Sequence, residues 1–273
     1  MTARSSGARS RVIVAIGPAS PDPLALIAAA QLAQSAGIEL AALFIEDINL
    51  LRLAELPFAQ EIGMASATMR RLVAADVERT LKRQAEELRC VLAETAHGIR
   101  LEWTFATVRG RLARVLLEAA GAGDFVVLAS TAVRTMTQAT LAGAVRTALR
   151  GSVQGAKPRR TRTVAAVLQP GPGALRVLVA AQQLAQASAA DLMLFIIGPR
   201  DAAFLATVES WLAERGVTAR VTRLPELAPA QVARLAADVD ISAMFWPGDG
   251  IEGIEPEIEA LLEAITCPLV VVR

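Results

Sequence analysis

The stretch Gln31-Leu-Ala-Gln-Ser-Ala-Gly-Ile-Glu-Leu40 returns 152 positions later as Gln183-Leu-Ala-Gln-Ala-Ser-Ala-Ala-Asp-Leu192. Val12 and Val164, which both lie in short apolar runs upstream, are separated by the same offset. One offset that relates a strand and the helix after it indicates an internal repeat. The alternative is that any two alanine- and leucine-rich helices look alike, and the shared order of strand, helix and strand argues against it.

Short apolar runs alternate with helical segments along the whole chain. The predicted strands are the runs at 11–16, 40–45, 101–108 and 125–129, followed by 164–168, 192–197, 217–224, 241–245 and 269–273. The predicted helices cover 23–36, a segment from about 50 to 57, 65–95 and 111–120, followed by 175–187, 202–215, 229–237 and 256–264. Strands that alternate with helices imply an α/β protein with a parallel sheet and helices on both faces.

Composition excludes several classes of protein. The 273 residues are 53% hydrophobic with a formal net charge of +1, which excludes general disorder and a global basic footprint for nucleic acid. His97 is the only histidine, so we expect no histidine triad or multi-histidine metal site, and its place near a helix end predicts a cap. Cys90 and Cys267 are too few for a disulfide framework and predict buried packing thiols.

The repeat also divides the chain. Residues 1–10 are polar and basic, without an apolar run, and predict a disordered tail and no signal peptide. The most apolar helical stretch, 24–33, is shorter than the roughly 20 residues that a membrane span requires, so we expect a cytoplasmic protein. The first domain is predicted at 11–150, a Gly-, Pro- and Arg-rich linker at 151–162 and the second domain at 163–273.

Three features in this order resemble the universal stress protein family. The first is a strand, a turn and an alanine-rich helix that ends in Leu32-Ala-x-x-x-Gly-x-Glu-Leu40. The second is Arg109-Gly110 before a helix that leads to Asp124-Phe-Val-Val-Leu-Ala129. The third is the ending Cys267-Pro-Leu-Val-Val-Val-Arg273. The resemblance covers about residues 11–150 and 162–273.

The resemblance implies an α/β fold of two tandem Rossmann-like domains of the adenine nucleotide alpha hydrolase type. Each domain would hold a mainly parallel five-stranded sheet with helices on both faces. The resemblance also implies pairing of the two domains within the chain or pairing in a homodimer, and a role in stress tolerance. The first copy shows no Cys-Pro-Val-type last strand before the linker, so its fifth strand is missing or merged with the linker.

Members of that family that bind ATP carry an Asp at the end of the first strand and Gly-x2-Gly-x9-Gly-[Ser/Thr] after the fourth. Such glycines let backbone amides approach phosphates. Here Gly17 and Gln169 stand at the Asp position of the two copies. The loop glycines of the first copy fall on Ala129, Ala132 and Gly143, so only the last is a glycine.

The loop of the second copy departs from the pattern as well. Its glycine positions fall on Phe245 and Gly248, and the Gly-Ser pair falls on Glu255-Pro256. The turn after Gly248 holds four carboxylates, which repel an anionic ligand: Asp249, Glu252, Glu255 and Glu257. We therefore expect no cofactor, with ATP as the alternative. Gly248, Gly250 and Gly253 allow two interpretations. They form a backbone site for another ligand, or they belong to a flexible acidic turn without a ligand, which is the favoured interpretation.

These residues predict a non-catalytic regulatory or interaction module of the stress response, with a regulatory protein as its partner. The first alternative is a member that binds ATP, or hydrolyses it slowly, through an unusual loop. The second is a binder of nucleic acid or anionic lipid through basic residues between Arg134 and Arg162.

Charge is distributed with opposite sign in equivalent parts of the two copies. Residues 125–190 contain no acid, and residues 235–272 contain no base. Charge blocks are usually solvated faces, but opposite signs suggest that the blocks meet across a pseudo-twofold axis. We expect arginines of the first block within about 6 Å of acids of the second. The arginines are Arg134, Arg146 and Arg150, and the acids are Asp249, Glu252, Glu255 and Glu259.

Overall fold

A computed structural model describes residues 10–17, 23–62, 68–99, 101–110, 112–129, 162–198, 202–226, 229–237, 239–248 and 261–273. Residues 1–9 of the tail predicted at 1–10, and residues 151–161 of the linker predicted at 151–162, lie outside these ranges. The predicted helix at 256–264 is described only at 261–264, where it is helical.

The first half of the chain begins with a strand that is apolar after Arg11 and continues as alternating strands and helices. Its strands are β1 (Arg11–Ile16), β2 (Glu39–Asp47), β3 (Gln60–Ile62), β4 (Met69–Arg71), β5 (Trp103–Gly110) and β6 (Phe125–Leu128). Its helices are α1 (Pro23–Ala36), α2 (Ile48–Glu55), α3 (Ala74–Ile99) and α4 (Leu112–Ala119). Proline suits the first position of α1, and Gly37, with φ +65°, ends it in the left-handed conformation that glycine favours.

The second half repeats this alternation with fewer elements. Its strands are β7 (Thr163–Leu168), β8 (Asp191–Ile197), β9 (Ala219–Leu224), β10 (Ile241–Pro247) and β11 (Leu269–Val272). Its helices are α5 (Ala174–Ser188), α6 (Ala202–Glu214) and α7 (Pro229–Ala237). At the position equivalent to Gly37, α5 ends in Ala189, which adopts the left-handed conformation with φ 50°.

Nine of these strands form one sheet in the order β5-β2-β1-β6-β11-β10-β7-β8-β9. All neighbours are parallel except β6 and β11, which pair antiparallel with Phe125 opposite Val272 and Leu128 opposite Leu269. The expectation of a mainly parallel α/β sheet is confirmed. The expectation of two separate five-stranded sheets is wrong, because β11 joins both halves into a single sheet.

Because β6 pairs with β11, no fifth strand of the first half lies beside β6 in the sheet. β6 has β1 on one side and β11 on the other, so both of its edges are occupied. Both halves otherwise share one strand order, β5-β2-β1-β6 in the first and β9-β8-β7-β10 in the second. The last strand of the second half therefore takes the place beside β6.

Alternate residues of the central strands supply two apolar layers, one on each face of the sheet. Val12 and Val164 belong to the layer that α1, α3 and α5 cover. Ile13 and Ala165 belong to the opposite layer, which α4 and α7 cover. Each layer contains residues of both halves, and α1 also contacts α5 directly. Burial on both faces is what the continuous apolar runs predicted.

The first half contains an insertion that the second half lacks. Arg11 and Thr163, which begin β1 and β7, lie 152 positions apart, whereas Phe125 and Ile241, which begin β6 and β10, lie 116 apart. The difference arises between β2 and β5, where α2, β3, β4 and the 26-residue α3 stand against the 13-residue α6. The predicted start of the long helix at 65 was wrong, because Met69–Arg71 pairs with Gln60–Ile62 as a hairpin.

The two cysteines differ in burial. Cys267 is 2% exposed, as predicted, but Cys90 lies on the exposed side of α3, and the prediction that it packs in the core was wrong. His97 lies in the last turn of α3, as predicted. No helix in the described ranges is both long and apolar enough to cross a membrane.

Candidate functional site at the carboxyl edges of the sheet

The predicted site residues come together in two pairs. Gly17 follows β1 and Ala129 follows β6, and these strands pair in parallel with Val14 opposite Val127. Gln169 follows β7 and Gly248 follows β10, which pair in parallel with Ala166 opposite Phe245. Carboxyl ends of parallel strands are the usual ligand-binding edge of such sheets. Ala132 and Gly143 lie outside the described residues.

The antiparallel seam separates these two pairs. Strands of the first half run opposite to strands of the second, because β6 is antiparallel to β11 whereas β11 is parallel to β10. The Gly17 pair and the Gln169 pair therefore lie at opposite edges of the one sheet. A ligand bound at one edge cannot contact the residues of the other.

Gly248 is a packing residue at its edge. Its N–H donates to the main-chain oxygen of Val272 over 2.7 Å, so this amide is already engaged by β11. A Cβ added to Gly248 would lie 2.5 Å from the Val272 oxygen and 3.1 Å from Cγ of Arg273. Glycine is required here because β11 passes too close for a side chain, which explains the residue without a ligand.

Gly17 at the other edge has a different environment. A Cβ added to it would meet nothing within 4 Å, and its φ is not in the left-handed region. No steric or conformational demand of the described residues therefore requires glycine at this position. Space beside the backbone exists at this edge and is missing at Gly248.

An ion-pair network borders the edge near Gly17, at the ends of β2 and β5. The Glu46 side chain is 10% exposed, its Oε2 accepts a hydrogen bond from Nε of Arg109 over 3.0 Å, and Nη2 of Arg109 lies 3.0 Å from the same oxygen as an ion pair. Nη2 of Arg109 also lies 3.3 Å from Oε1 of Glu78. The hydrogen bond to Glu46, followed by the charges of Glu46 and Glu78, raises the pKa of Arg109 above its usual value, although desolvation opposes this.

The recorded ion pairs of this edge leave its arginine engaged. The guanidinium of Arg109 is held between the carboxylates of Glu46 and Glu78. Asp47 is also committed, because its Oδ1 accepts the amide of Asn49 over 2.8 Å and caps α2. The N-terminus of α2 therefore has a carboxylate where a phosphate would have to dock.

Gly110, beside Arg109 in the sequence motif, has a packing role. A Cβ at this position would lie 2.5 Å from Cγ2 of Val115, the first turns of α4 being close to the end of β5. The motif Arg109-Gly110 thus places an ion pair and a close helix contact at the end of β5. No group of three acidic, cysteine or histidine side chains in the described ranges could hold a metal ion.

Sequence reasoning missed the buried cluster at the opposite end of β6. Asp124 is 4% exposed, and its Oδ1 accepts the amide of Arg11 over 2.9 Å. Its Oδ2 accepts the amide of Gly121 over 2.9 Å and Nη2 of Arg11 over 3.1 Å. The main-chain oxygen of Asp124 accepts the amide of Arg273, whose Nη1 donates to Ala120. Asp124 therefore ties β1, β6 and the end of β11 together.

The arginines and carboxylates that were predicted to meet across the pseudo-twofold axis lie outside the described residues. This applies to Arg134, Arg146 and Arg150 and to Asp249, Glu252, Glu255 and Glu259. In the described part of the chain, the halves are joined by main-chain pairing of β6 with β11, by hydrogen bonds of Arg273 to Asp124 and Ala120, and by contacts of α1 with α5 and β10. The electrostatic complementarity stays a prediction.

The chain matches no protein-family model and no curated protein sequence. Among solved structures, it is similar to a universal stress protein from Archaeoglobus fulgidus, with a TM-score of 0.55, 11% identity and coverage of 96% of each chain. A candidate universal stress protein from Pseudomonas aeruginosa matches with a TM-score of 0.48 and 14% identity, over 96% of this chain and 93% of that one. The chain has the universal stress protein fold, as the sequence motifs predicted.

Proposed function

We propose that the chain belongs to the universal stress protein family and acts as a non-catalytic regulatory or interaction module of the stress response that holds no nucleotide. Support for the family comes from the fold together with the sequence motifs at 32–40, 109–110 and 267–273. The proposal that no nucleotide binds is independent of the fold and depends on the chemistry of the two edges.

The observation that carries the proposal is the engagement of Gly248. The amide that a phosphate would need is donated to Val272, and β11 fills the space on which a phosphate would lie. At the other edge, Arg109 is already paired with Glu46 and Glu78, and the carboxylate of Asp47 caps α2. Both edges therefore disfavour a polyanion, for different reasons.

The test is a calorimetric titration of the full chain with Mg²⁺-ATP. We expect no saturable heat up to about 1 mM, a concentration that corresponds to only about −4 kcal/mol of binding free energy. We also expect no phosphate release above the rate in buffer. Saturable binding with a micromolar dissociation constant would favour the alternative of an ATP-binding member and overturn the proposal.

A matched pair of variants would locate any binding. Gly17→Leu fills the open space after β1, and Leu235→Ser changes an exposed residue on α7, in the second half of the chain. Binding that Gly17→Leu abolishes and Leu235→Ser preserves would assign ATP to the first edge. Binding that neither variant changes, with affinity falling steeply as salt rises, would favour the basic residues of the 134–162 segment.

A further inference from the structure

A cavity of about 300 Å³ lies at the amino ends of β7, β8 and β9, at the edge of the second half opposite to its carboxyl edge. Small-molecule sites in proteins typically begin at this size. Thr163, Leu192 and Met193 line the cavity and are buried. Two exposed side chains of opposite charge, Asp191 and Arg220, line the same cavity.

Asp191 and Arg220 project from the same face of the sheet. Met193 lies opposite Arg220 on the neighbouring strand, and Asp191 is two residues before Met193, so strand alternation places all three on one face. This is the face that α7 covers, because Met193 belongs to its apolar layer. Neighbouring strands are about 4.8 Å apart and two residues span about 6.6 Å, so the Cβ atoms of Asp191 and Arg220 lie roughly 8 Å apart.

Neither of these charged side chains is paired within the described ranges. Arg223, on the same strand as Arg220, forms an ion pair with Glu209 over 3.5 Å. Asp191 and Arg220 have no such partner among the described residues, although they line one cavity. The main chain of Asp191 is held in place, because its N–H donates to the main-chain oxygen of Arg162 over 2.8 Å. Two paired strands thus present an acid and a base side by side.

A second cavity, of about 260 Å³, adjoins the first, because Asp191, Leu192 and Thr218 line both. It lies between the carboxyl ends of α5 and α6. Small apolar residues contribute to its wall: Ala185, Ala189, Ala190 and Val217. The carboxyl ends of helices carry partial negative charge, which favours a cationic group beside Asp191. The second cavity can therefore take an aliphatic group that is joined to a cationic one.

The charges of the first cavity disfavour simple ions. A phosphate on Arg220 would be repelled by the carboxylate of Asp191, and a metal ion on Asp191 would be repelled by the guanidinium. A headgroup that carries both an ammonium and a carboxylate pairs with both side chains, and such charge-assisted hydrogen bonds are the strong ones. At a Cβ separation of roughly 8 Å, both side chains can contact one small headgroup.

We propose that the two cavities form a binding site for a free α-amino acid with an aliphatic side chain. Arg220 binds the carboxylate, Asp191 binds the ammonium, and the aliphatic side chain lies against Ala189 and Val217. β8 is the fifth strand from β1 in the sheet order, so the site is separate from the edge at Gly17. The proposal adds a small-molecule input to the proposed regulatory module, and it stands whether or not nucleotide binds.

An NMR titration of the full, isotope-labelled chain with L-leucine tests the proposal. We expect saturable shifts at the amides of Asp191, Thr218 and Arg220, with a dissociation constant of about 1 mM or tighter. N-acetyl-L-leucine keeps only the carboxylate, and L-leucine methyl ester keeps only the ammonium. Each analogue should bind at least roughly 10-fold more weakly than L-leucine, because each loses one charge-assisted hydrogen bond.

Asp191→Asn and Arg220→Gln assign the two charges of the ligand. Each variant should weaken the binding of L-leucine at least roughly 10-fold. Asp191→Asn should then bind L-leucine and its N-acetyl form equally, and Arg220→Gln should bind L-leucine and its methyl ester equally. A merely structural role of either residue would not change these ratios. The matched control is Arg223→Gln, which removes an arginine of the same strand that pairs with Glu209 of α6 and should bind as the wild type does.

Thermal unfolding verifies that the variants fold, which we expect because Asp191 and Arg220 are exposed. The absence of saturable shifts up to about 10 mM L-leucine overturns the proposal. Binding that Arg223→Gln weakens and the two site variants do not also overturns it. Inorganic phosphate is the competing probe: shifts of the same amides by phosphate, lost in Arg220→Gln and unmatched by L-leucine, would mean an anion site instead.

Discussion

The two halves of the sheet share a strand order but differ in what borders their fourth strands. β10 lies between β7 and β11 of its own half, whereas β6 lies between its own β1 and the β11 of the other half. One strand therefore completes both halves, parallel to one neighbour and antiparallel to the other. A sequence repeat therefore does not guarantee two independently folding units, because here the two halves share their last strand.

The burial of the two cysteines gives the largest measurable contrast. Cys90 is exposed on α3 of the first half, and Cys267 is buried directly before β11. We expect the Cys90 thiol to react at once with an aromatic disulfide reagent. The Cys267 thiol should react at least roughly 100-fold more slowly, because its reaction requires local opening of the structure near the seam. Cys90→Ser should remove the fast phase, and two equally fast thiols would mean that β11 opens readily.

Removal of Asp124 tests how strongly the seam depends on its buried carboxylate. Asp124→Ala leaves the amides of Arg11 and Gly121 without their acceptor, and we expect a loss of about 3 kcal/mol in the free energy of unfolding. The control is Glu209→Ala, which removes an ion pair with Arg223 whose side chains are more than 60% exposed. That change should cost less than about 1 kcal/mol in urea unfolding. Equal effects would contradict the role of Asp124.

The two glycines at the candidate edges should respond to alanine in opposite directions. Gly248→Ala forces a Cβ toward the Val272 oxygen, and we expect a loss of about 2 kcal/mol from overpacking. Gly17→Ala meets open space and should be neutral or stabilise by about 0.5 kcal/mol, because the unfolded chain loses freedom. Urea unfolding of both variants measures the difference. A tolerated Gly248→Ala would show that β11 can move aside.

The helix ends at Gly37 and Ala189 give the smallest expected contrast. Both residues adopt the left-handed conformation, which strains a residue with a Cβ. Ala189→Gly should therefore stabilise the protein by about 0.5–1 kcal/mol, and Gly37→Ala should destabilise it by a similar amount. Thermal or urea unfolding provides the measurement. A loss of stability in Ala189→Gly would mean that the side chain of Ala189 packs more than its exposed position suggests.

The sequence predicted the strands of the sheet well because their signal is local. The runs at 12–16 and 164–168 are apolar throughout, and the structure places them in β1 and β7, each of which begins one residue earlier. The partner of β11 could not be predicted in this way. Leu269–Val272 reads as a buried strand whether it borders one half or both, and no local pattern specifies the antiparallel pairing with β6.

The sequence analysis missed the β3–β4 hairpin and assigned Cys90 to the core, because local patterns do not specify which side of an element faces solvent. β3 and β4 have three residues each and are mostly exposed, so they carry no apolar alternation, and the helical propensity around them extended the predicted helix back to 65. Cys90 was assigned to the core from its residue type, although α3 buries Leu88 and Leu92 on its inner side and leaves Cys90 outside.

The candidate site was predicted by position more than by chemistry. The motif placed Gly17, Ala129, Gln169 and Gly248 at strand ends, and the structure places them there. The sequence could not predict why residue 248 has to be a glycine. The requirement arises from the close approach of β11, a strand that follows more than 20 residues later. The Asp124 cluster likewise joins residues more than 100 positions apart.

The shared strand has a consequence during synthesis on the ribosome. β11 is made after the other described strands, yet it occupies the interior of the sheet. From Leu128 to Leu269 the ribosome adds 141 residues, which takes roughly 7–30 s at about 5–20 residues per second. During that time the apolar β6 has an open edge. A nascent first half is therefore a natural client for a chaperone, and any stall before residue 269 leaves an aggregation-prone strand exposed.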